Sequence, residues 1–332
     1  MAATDKDTSL LLVFGGESSE SEISIWSARF IHSLLRSKYA KLSLGFLSKS
    51  GAWFGYFHDF PKEPEREGKQ TSISNLLEGV TCVVNGFHGG QGENGTFQGF
   101  LDMLGVKYTG SGVLASALAM DKAKSNSLFE MVGLTVAPFV DISKTDKYPE
   151  NLLGQLSFPI FLKPTTGGSS FLASPANNLT EALNFLKTAF LSENRMLAQE
   201  RIQGIEVSIG VLEKRNEDGG IETFPLLPTE IRHKSDFFDT NAKYTKGESE
   251  EITPAPLPKE LTKLLQNQSL LAHKTLGCQG YSRTDFIIKE GVPYVLETNT
   301  LPGMTETSLI PQQVKALGLD MSQVFEWLID LA

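Results

Sequence analysis

The sequence predicts an α/β fold in the first part of the chain and an α+β arrangement in the C-terminal half. A short apolar run, 10–14, ends in two glycines and precedes apolar residues at helical spacing. A second run, 81–85, also ends in a glycine-rich turn that enters a helix. Strand, glycine turn and helix in this order are typical of a parallel sheet that binds ligands at its strand ends. The pattern over 281–304 instead predicts an antiparallel hairpin.

Length and composition limit the classes of protein. With 332 residues, 40% hydrophobic and 21% charged, the chain has room for two or three domains, and we divide it at 1–110, 111–203 and 204–332. The net charge of -9, without a Lys/Arg block, argues against a nucleic-acid partner. The two cysteines provide neither a disulfide framework nor a zinc motif, so we expect buried thiols. The N-terminal apolar run is too short for a signal peptide or a membrane span, which predicts a cytoplasmic protein without a membrane partner.

The hairpin brings candidate ligands to one face. If a loop centred on Glu290 and Gly291 contains an odd number of residues, Asp285 lies opposite Glu297. Period-two alternation then puts Asn299 on the same face. A two-residue turn would shift this register by one residue. The other, apolar face is expected to carry Phe286, Ile288, Tyr294 and Leu296.

The chemistry of this face indicates a metal and a phosphate. Carboxylate and amide oxygens are ligands that Mg²⁺ prefers, usually with substrate phosphates and water. Arg283 lies two residues before Asp285, where a guanidinium can contact the same anion. For the hairpin alone, a solvated polar face remains the alternative.

Two lysines are candidates for phosphate contacts. Lys163 ends an apolar strand directly before the loop T-T-G-G-S-S, whose backbone N–H groups can approach an anion, and Lys122 stands at a predicted helix start. Either residue alone is more often a surface lysine. The loop could also be a plain hairpin turn.

Four further residues have open interpretations. Glu200 and Glu206 flank a connection between strands, where an adenine could pair with the backbone and a carboxylate could hold ribose hydroxyls. His88 follows a predicted strand. It could be a substrate contact or a core histidine whose hydrogen bonds are satisfied. Glu20 could be functional or only a first-turn acid that the helix dipole favours. No Walker-type loop, zinc cluster, nucleophile elbow or dinucleotide fingerprint occurs.

Taken together, the motifs resemble those of one family. G-G-E-S-S-E-S-E-I-S, H-G-G-Q-G-E-N-G-T-F-Q-G, Y-T-G-S-G-V-L-A-S-A-L-A-M-D-K, K-P-T-T-G-G-S-S, A-K-Y, S-R-T-D and E-T-N-T-L-P-G-M-T occur in the order found in D-alanine:D-alanine ligases, which are ATP-grasp enzymes. The resemblance spans nearly the whole chain. It implies a Rossmann-like domain over 1–110, a central ATP-grasp subdomain over 111–203, and a C-terminal ATP-grasp subdomain with the metal and substrate site over 204–332.

The resemblance also implies roles in binding ATP. Asp285, Glu297 and Asn299 would hold two Mg²⁺ ions, or Mn²⁺, against the phosphates. The loop T-T-G-G-S-S would close over the triphosphate, and Glu206 would take the ribose. The residues expected to contact the nucleotide are Lys122, Lys163, Ser169, Glu200, Arg201, Ile202, Gln203, Glu206 and Lys243.

The implied reaction joins two D-alanines through a D-alanyl phosphate, and the dipeptide enters peptidoglycan synthesis. Glu20 would bind the first ammonium group, with His88 nearby. Arg283 and the Gly303 N–H would stabilise the oxyanion. The second substrate's carboxylate would lie on Ser308 and the Leu309 N–H. The residues implied to be catalytic are Glu20, Ser169, Tyr244, Arg283 and Gly303.

Two features of the family bear on closure and assembly. Glu20, Ser169 and Tyr244 would form a hydrogen-bonded trio, and Tyr244 favours an amine over D-lactate as second substrate. Family members are commonly homodimers. The chain departs from the usual motif after Lys163, because Gly167 replaces an acid and Phe171-Leu172 replace a small apolar residue and a glycine.

Two alternatives remain. A related ATP-grasp ligase for other amino acids would keep the metal and nucleotide residues, whereas a nucleotide-binding regulator would lack turnover.

Overall fold

The computed structural model describes residues 8–57, 59–168, 172–233 and 249–332. Its first sheet has the strand order β4-β3-β2-β1-β5-β6. The strands are β1 (Ser9–Gly15), β2 (Lys41–Leu47), β3 (Trp53–Tyr56), β4 (Lys69–Thr71), β5 (Cys82–Asn85) and β6 (Lys107–Tyr108). Strands β2, β1, β5 and β6 are parallel to one another, as predicted. Strands β3 and β4 add an antiparallel edge.

Helices follow the strands of this sheet at its carboxyl end. Gly15 ends β1 with φ +92, and a Cβ there would lie 2.3 Å from the Leu47 oxygen, so the turn requires glycine. The next helix buries Ala28, Ile31 and Leu35 at helical spacing against β1. The helices of this part are α1 (Ser21–Leu35), α2 (Pro64–Glu67), α3 (Ile73–Leu76), α4 (Gly90–Glu93) and α5 (Thr96–Leu104).

The second sheet is antiparallel, with the strand order β7-β10-β8-β9. Its strands are β7 (Phe139–Ser143), β8 (Ile160–Pro164), β9 (Ser174–Ala176) and β10 (Arg195–Glu200). The helices before and around it are α6 (Val113–Met120), α7 (Lys122–Met131), α8 (Pro149–Leu153) and α9 (Leu179–Ala189). The segment 113–131 is not one continuous helix. Asp121 interrupts it with extended backbone and caps α7 by accepting from the Lys124 N–H.

The third sheet is also antiparallel and has the order β14-β13-β11-β15-β16, with β12 pairing beside β11. Its strands are β11 (Ile205–Arg215), β12 (Ile221–Pro225), β13 (Thr229–His233), β14 (Ser249–Ile252), β15 (Tyr281–Lys289) and β16 (Val292–Asn299). The helices are α10 (Lys259–Leu276), α11 (Leu309–Ala316) and α12 (Met321–Leu331). Because α12 packs on α1, one apolar core joins this part of the chain to the first sheet.

The hairpin pairs Asp285 with Glu297 as predicted, but its turn differs from the predicted one. Glu290 and Gly291 form a two-residue turn with φ of 53° and 81°, so the expected odd-length loop is wrong. Asp285 nevertheless lies opposite Glu297, because the pairing shifts between Asp285 and Phe286. Leu296 is the extra residue of this β-bulge, which cancels the effect of the even turn.

The bulge also changes the apolar face. Phe286 and Ile288 are buried as expected, but their partner in the core is Val295. Tyr294 and Leu296 are partly exposed, so their predicted place on this face is wrong. Both cysteines, in contrast, are buried free thiols as predicted.

Within the described ranges, no helix is both long and apolar enough to cross a membrane.

Candidate active site

A cavity of about 690 Å³ lies where the start of α1, the loop after β5 and the β15–β16 hairpin meet. The structure brings together at this cavity most of the site residues that the sequence predicted. Those that line it are Glu20, His88, Lys122, Glu206, Arg283, Asp285, Glu297, Asn299, Gly303, Ser308 and Leu309.

Asp285 accepts four side-chain hydrogen bonds at the cavity. Arg283 donates to both its oxygens, from Nε at 2.9 Å and from Nη2 at 2.7 Å. Asn299 Nδ2 donates at 3.2 Å and Ser208 Oγ at 2.5 Å. Burial alone would lower the pKa of Arg283, but Asp285 beside it raises that pKa above its ordinary value. The Arg283 guanidinium is therefore charged, and its two hydrogen bonds fix the orientation of Asp285.

Glu297 faces the lysine of α7. Lys122 Nζ lies 3.7 Å from Glu297 Oε2 and donates to the Gly167 carbonyl at 2.5 Å. Lys122 is buried. Through these two contacts its ammonium group joins the hairpin to the loop after β8. This position suits an ammonium that neutralises a phosphate.

Lys163 lies in β8 and is not among the described residues that line the cavity. Burial lowers the pKa of Lys163 to about 8, Glu297 acts in the opposite direction, and Lys122 lowers the pKa further. Lys163 is therefore near enough to Glu297 and Lys122 to interact with both electrostatically.

His88 is both a core histidine and a cavity residue. Its Nδ1 lies 2.9 Å from the Leu301 oxygen and its Nε2 lies 2.8 Å from Ser27 Oγ. Because a carbonyl can only accept, Nδ1 carries the proton and Nε2 accepts from the Ser27 hydroxyl. Burial lowers the pKa of His88, which agrees with a neutral ring. His88 is therefore a core histidine whose ring nitrogens both have partners, and its contact with a substrate stays a prediction.

Glu20 lies at the start of α1 but makes no side-chain cap hydrogen bond. A Cβ added to Gly89 would lie 2.3 Å from Glu20 Oε2, and one added to Gly168 would lie 3.2 Å from it. The carboxylate therefore lies between the loop after β5 and the loop after β8, where it can receive an ammonium group.

The far end of the cavity can hold a carboxylate. Ser308 precedes α11 and accepts from the Thr305 N–H at 3.0 Å. Leu309 is the first residue of this helix, and N–H groups of a first turn have no partner within the helix. A helix start with a hydroxyl beside it favours an anion. Gly303 is close by, since a Cβ there would lie 3.0 Å from Ser308 Oγ.

Some predicted residues are not at the cavity. Glu200 accepts from the Ser157 N–H at 2.7 Å, and the connection that also contains Arg201, Ile202 and Gln203 is not part of the described lining. The backbone N–H groups of Glu200 and Arg201 donate to Pro138 and Pro159. Ser169, Lys243 and Tyr244, with the Glu20–Ser169–Tyr244 trio, lie outside the described residues.

Sequence reasoning missed Glu93, which lines the cavity and accepts from the N–H groups of Gly89 and Leu301. Burial raises the pKa of Glu93 to about 7, Glu20 raises it further, and the two N–H groups and Arg283 lower it. Its only signal was an acid among glycines in H-G-G-Q-G-E-N-G. Ser27 and Ser208 were missed as well, because serines carry no spacing signal.

The donor set at the hairpin fits Mg²⁺ better than a softer metal. In the described ranges no three or more His, Cys, Asp or Glu residues cluster as metal ligands. The hairpin offers two carboxylates and one amide, and Mg²⁺ commonly takes one or two protein carboxylates and completes its shell with phosphate and water.

Two antiparallel sheets, with opposed acids, an arginine and a buried lysine at one cavity, define an ATP-grasp ligase. The family model for the D-ala D-ala ligase N-terminus matches residues 9–111, and that for the D-ala D-ala ligase C-terminus matches residues 128–330. The chain belongs to the D-alanine–D-alanine ligase family.

Individual proteins agree with this assignment. The D-alanine–D-alanine ligase of Leptospira biflexa is 49% identical, covering 97% of this chain and 98% of its own. The VanG D-Ala:D-Ser ligase of Enterococcus faecalis has a TM-score of 0.82 at 28% identity, covering 98% of this chain and 99% of its own. The Bacillus anthracis D-alanine–D-alanine ligase complexed with ATP has a TM-score of 0.77 at 28% identity, with coverages of 98% and 96%.

Proposed function

We infer that the protein is an ATP-dependent ligase that joins two D-alanines into D-alanyl-D-alanine for peptidoglycan precursor synthesis. One observation carries this function beyond the family assignment. A single cavity combines the Asp285–Glu297 pair with an acid for an ammonium, Glu20, and a helix start for a carboxylate, Ser308 and Leu309. These are the features required to activate one amino acid and to hold a second.

We propose that Asp285, Glu297 and Asn299 hold two Mg²⁺ ions, or Mn²⁺, which neutralise phosphate charge when bound. The chain's own cations serve the same purpose. Lys122, Lys163 and Lys243 contact the phosphates, since a carboxylate must approach a polyanion in the first step. The nearness of Lys122 to Glu297 supports its part in this proposal.

The first chemical step in this proposal transfers the γ-phosphoryl group to the carboxylate of the first D-alanine and releases ADP. Glu20 holds the ammonium of this D-alanine, with His88 beside it. The amine of the second D-alanine, bound through its carboxylate by Ser308 and the Leu309 N–H, then attacks the acyl carbon. Phosphate leaves, and Arg283 with the Gly303 N–H stabilises the oxyanion that develops.

The remaining site residues follow from the family resemblance. We propose that Glu200 to Gln203 form the adenine-binding connection and that Glu206, which lines the cavity, takes the ribose. Ser169 and Tyr244 join Glu20 when the loop after β8 closes and excludes water from the acyl phosphate. We also propose the three-part division at 110 and 203, a homodimer, a cytoplasmic location, and no nucleic-acid or membrane partner.

ADP release against a panel of D- and L-amino acids tests the function. We expect release with D-alanine alone, and the panel includes D-serine and D-lactate as second substrates because one structural neighbour is a D-Ala:D-Ser ligase. Release only with another amino-acid pair would identify a different ligase. Tight ATP binding without ADP formation at saturating D-alanine would instead indicate a nucleotide-binding regulator that lacks turnover.

A further inference from the structure

The carboxylate of Glu93 joins two loops of the cavity. Its Oε2 accepts from the Gly89 N–H at 2.8 Å, in the loop that carries His88. Its Oε1 accepts from the Leu301 N–H at 3.4 Å, in the segment that follows β16. Each loop contains a residue proposed to contact substrate, so Glu93 fixes the distance between two parts of the site.

The segment after β16 is held on both sides of Gly303. Glu93 takes the N–H of Leu301, and His88 donates to the carbonyl of the same residue at 2.9 Å. One residue beyond Gly303, the Met304 N–H donates to Ser27 Oγ at 3.1 Å. All three partners come from the first part of the chain, so the position of the Gly303 peptide depends on them.

The charge of Glu93 matters as much as its shape. A carboxylate has only acceptors and can satisfy two N–H donors at once. The amide of glutamine has one acceptor oxygen and an NH₂ group, which would face one of the two N–H groups and repel it. The site therefore requires an acid at this position, although burial and, after it, the nearby Glu20 disfavour its negative charge.

We propose that Glu93 is a positioning residue, which holds Leu301 against the His88 loop so that the Gly303 N–H faces the acyl oxygen during turnover. This inference rests on the proposed ligase function. It assigns to Glu93 no contact with substrate, and its effect passes through the backbone of residues 301–303.

Glu93→Gln and Glu93→Ala, with Glu22→Gln as an exposed control acid, test the proposal in two ways. The first is hydrogen exchange of the Leu301 and Met304 amides without substrates, because Pro302 has no N–H. Exchange should become at least about tenfold faster in Glu93→Ala and less so in Glu93→Gln, while β15 stays protected. The second is kinetics. Since loss of an oxyanion donor lowers kcat by roughly 10²–10³, kcat should fall about 100-fold in Glu93→Ala and about tenfold in Glu93→Gln, with KM for ATP within about twofold.

The two measurements separate this inference from the ligase function. If the unaltered protein releases no ADP with D-alanine, the function fails, but hydrogen exchange still shows whether Glu93 holds residues 301–304. Unchanged exchange at these residues in Glu93→Ala would overturn the proposal. The proposal would also be overturned if kcat fell only in proportion to the loss of folded protein and exchange became faster throughout the molecule.

Discussion

Asp285 lies directly opposite Glu297 although only two residues separate their strands, because Leu296 bulges out of β16. Two opposed carboxylates repel each other unless cations lie beside them. Arg283 binds Asp285 through two hydrogen bonds, and Lys122 lies 3.7 Å from Glu297. Each acid thus has its own cation, which allows the two carboxylates to lie opposite each other on one face.

Glu297→Gln is expected to lower turnover much more than stability. The substitution keeps the shape of the side chain but removes the negative charge that a metal ligand needs, so kcat should fall by at least about 100-fold while Tm changes by a few degrees at most. Glu290→Gln at the exposed hairpin turn is the matched control. Kinetics at saturating Mg²⁺ and thermal unfolding of both variants test this, and an unchanged kcat in Glu297→Gln would contradict the metal role.

The sequence predicted the face but could not predict how the chain achieves it. An odd loop without a bulge and a two-residue turn with a bulge both place Asp285 opposite Glu297, and alternation alone cannot separate them. The apolar residue of β16 that enters the core, Val295, could not be chosen for the same reason. Periodicity reports which residues share a face only where the pairing is regular.

Contacts between distant parts of the chain were also beyond sequence reasoning. Glu93 and Leu301 are separated by 208 residues, and their hydrogen bond follows from packing of the first sheet on the third. Residues with a fixed local role were predictable instead. Lys122 stands at the start of α7 as expected, and Ser308 directly precedes α11.

Gly89→Ala should weaken the binding of D-alanine. A Cβ at this position would lie 2.3 Å from Glu20 Oε2, so the Glu20 carboxylate must move away from its place beside the cavity. We expect KM for D-alanine to rise about tenfold, with KM for ATP little changed. Gly105→Ala controls for a positive φ without a nearby carboxylate, because its φ is +66 and a Cβ there meets nothing within 4 Å, while its ψ of 25 differs from the 177 of Gly89. An unchanged KM for D-alanine in Gly89→Ala would contradict the role of Glu20 in binding this substrate.

The affinity for ATP should depend on the protonation of Lys163. Burial lowers the pKa of Lys163 to about 8, so the ammonium group is present below this pH and is lost above it. If the ammonium contacts phosphate, KM for ATP rises between pH 7 and pH 9, by up to about tenfold for each pH unit above the pKa. Lys163→Arg keeps its charge throughout this range and should flatten the profile. A rise that is the same in both proteins would assign the titration to another group.

Ser27→Ala should impair the segment that carries Gly303 while leaving α1 intact. Ser27 Oγ donates to His88 Nε2 at 2.8 Å and accepts from the Met304 N–H at 3.1 Å, and the side chain is fully buried. Removing it leaves two buried polar groups without a partner, which costs about 1–3 kcal/mol each.

Thermal or urea unfolding should therefore show a loss of about 2 kcal/mol or more for Ser27→Ala. In addition, kcat should fall, because Met304 no longer fixes the end of the 301–304 segment. Ser33→Ala provides the comparison on the same helix, since Ser33 is exposed and its hydroxyl donates only to the Phe30 carbonyl among the described contacts. A Ser27→Ala protein that loses stability but keeps its kcat would show that Ser27 supports the core and does not position Gly303.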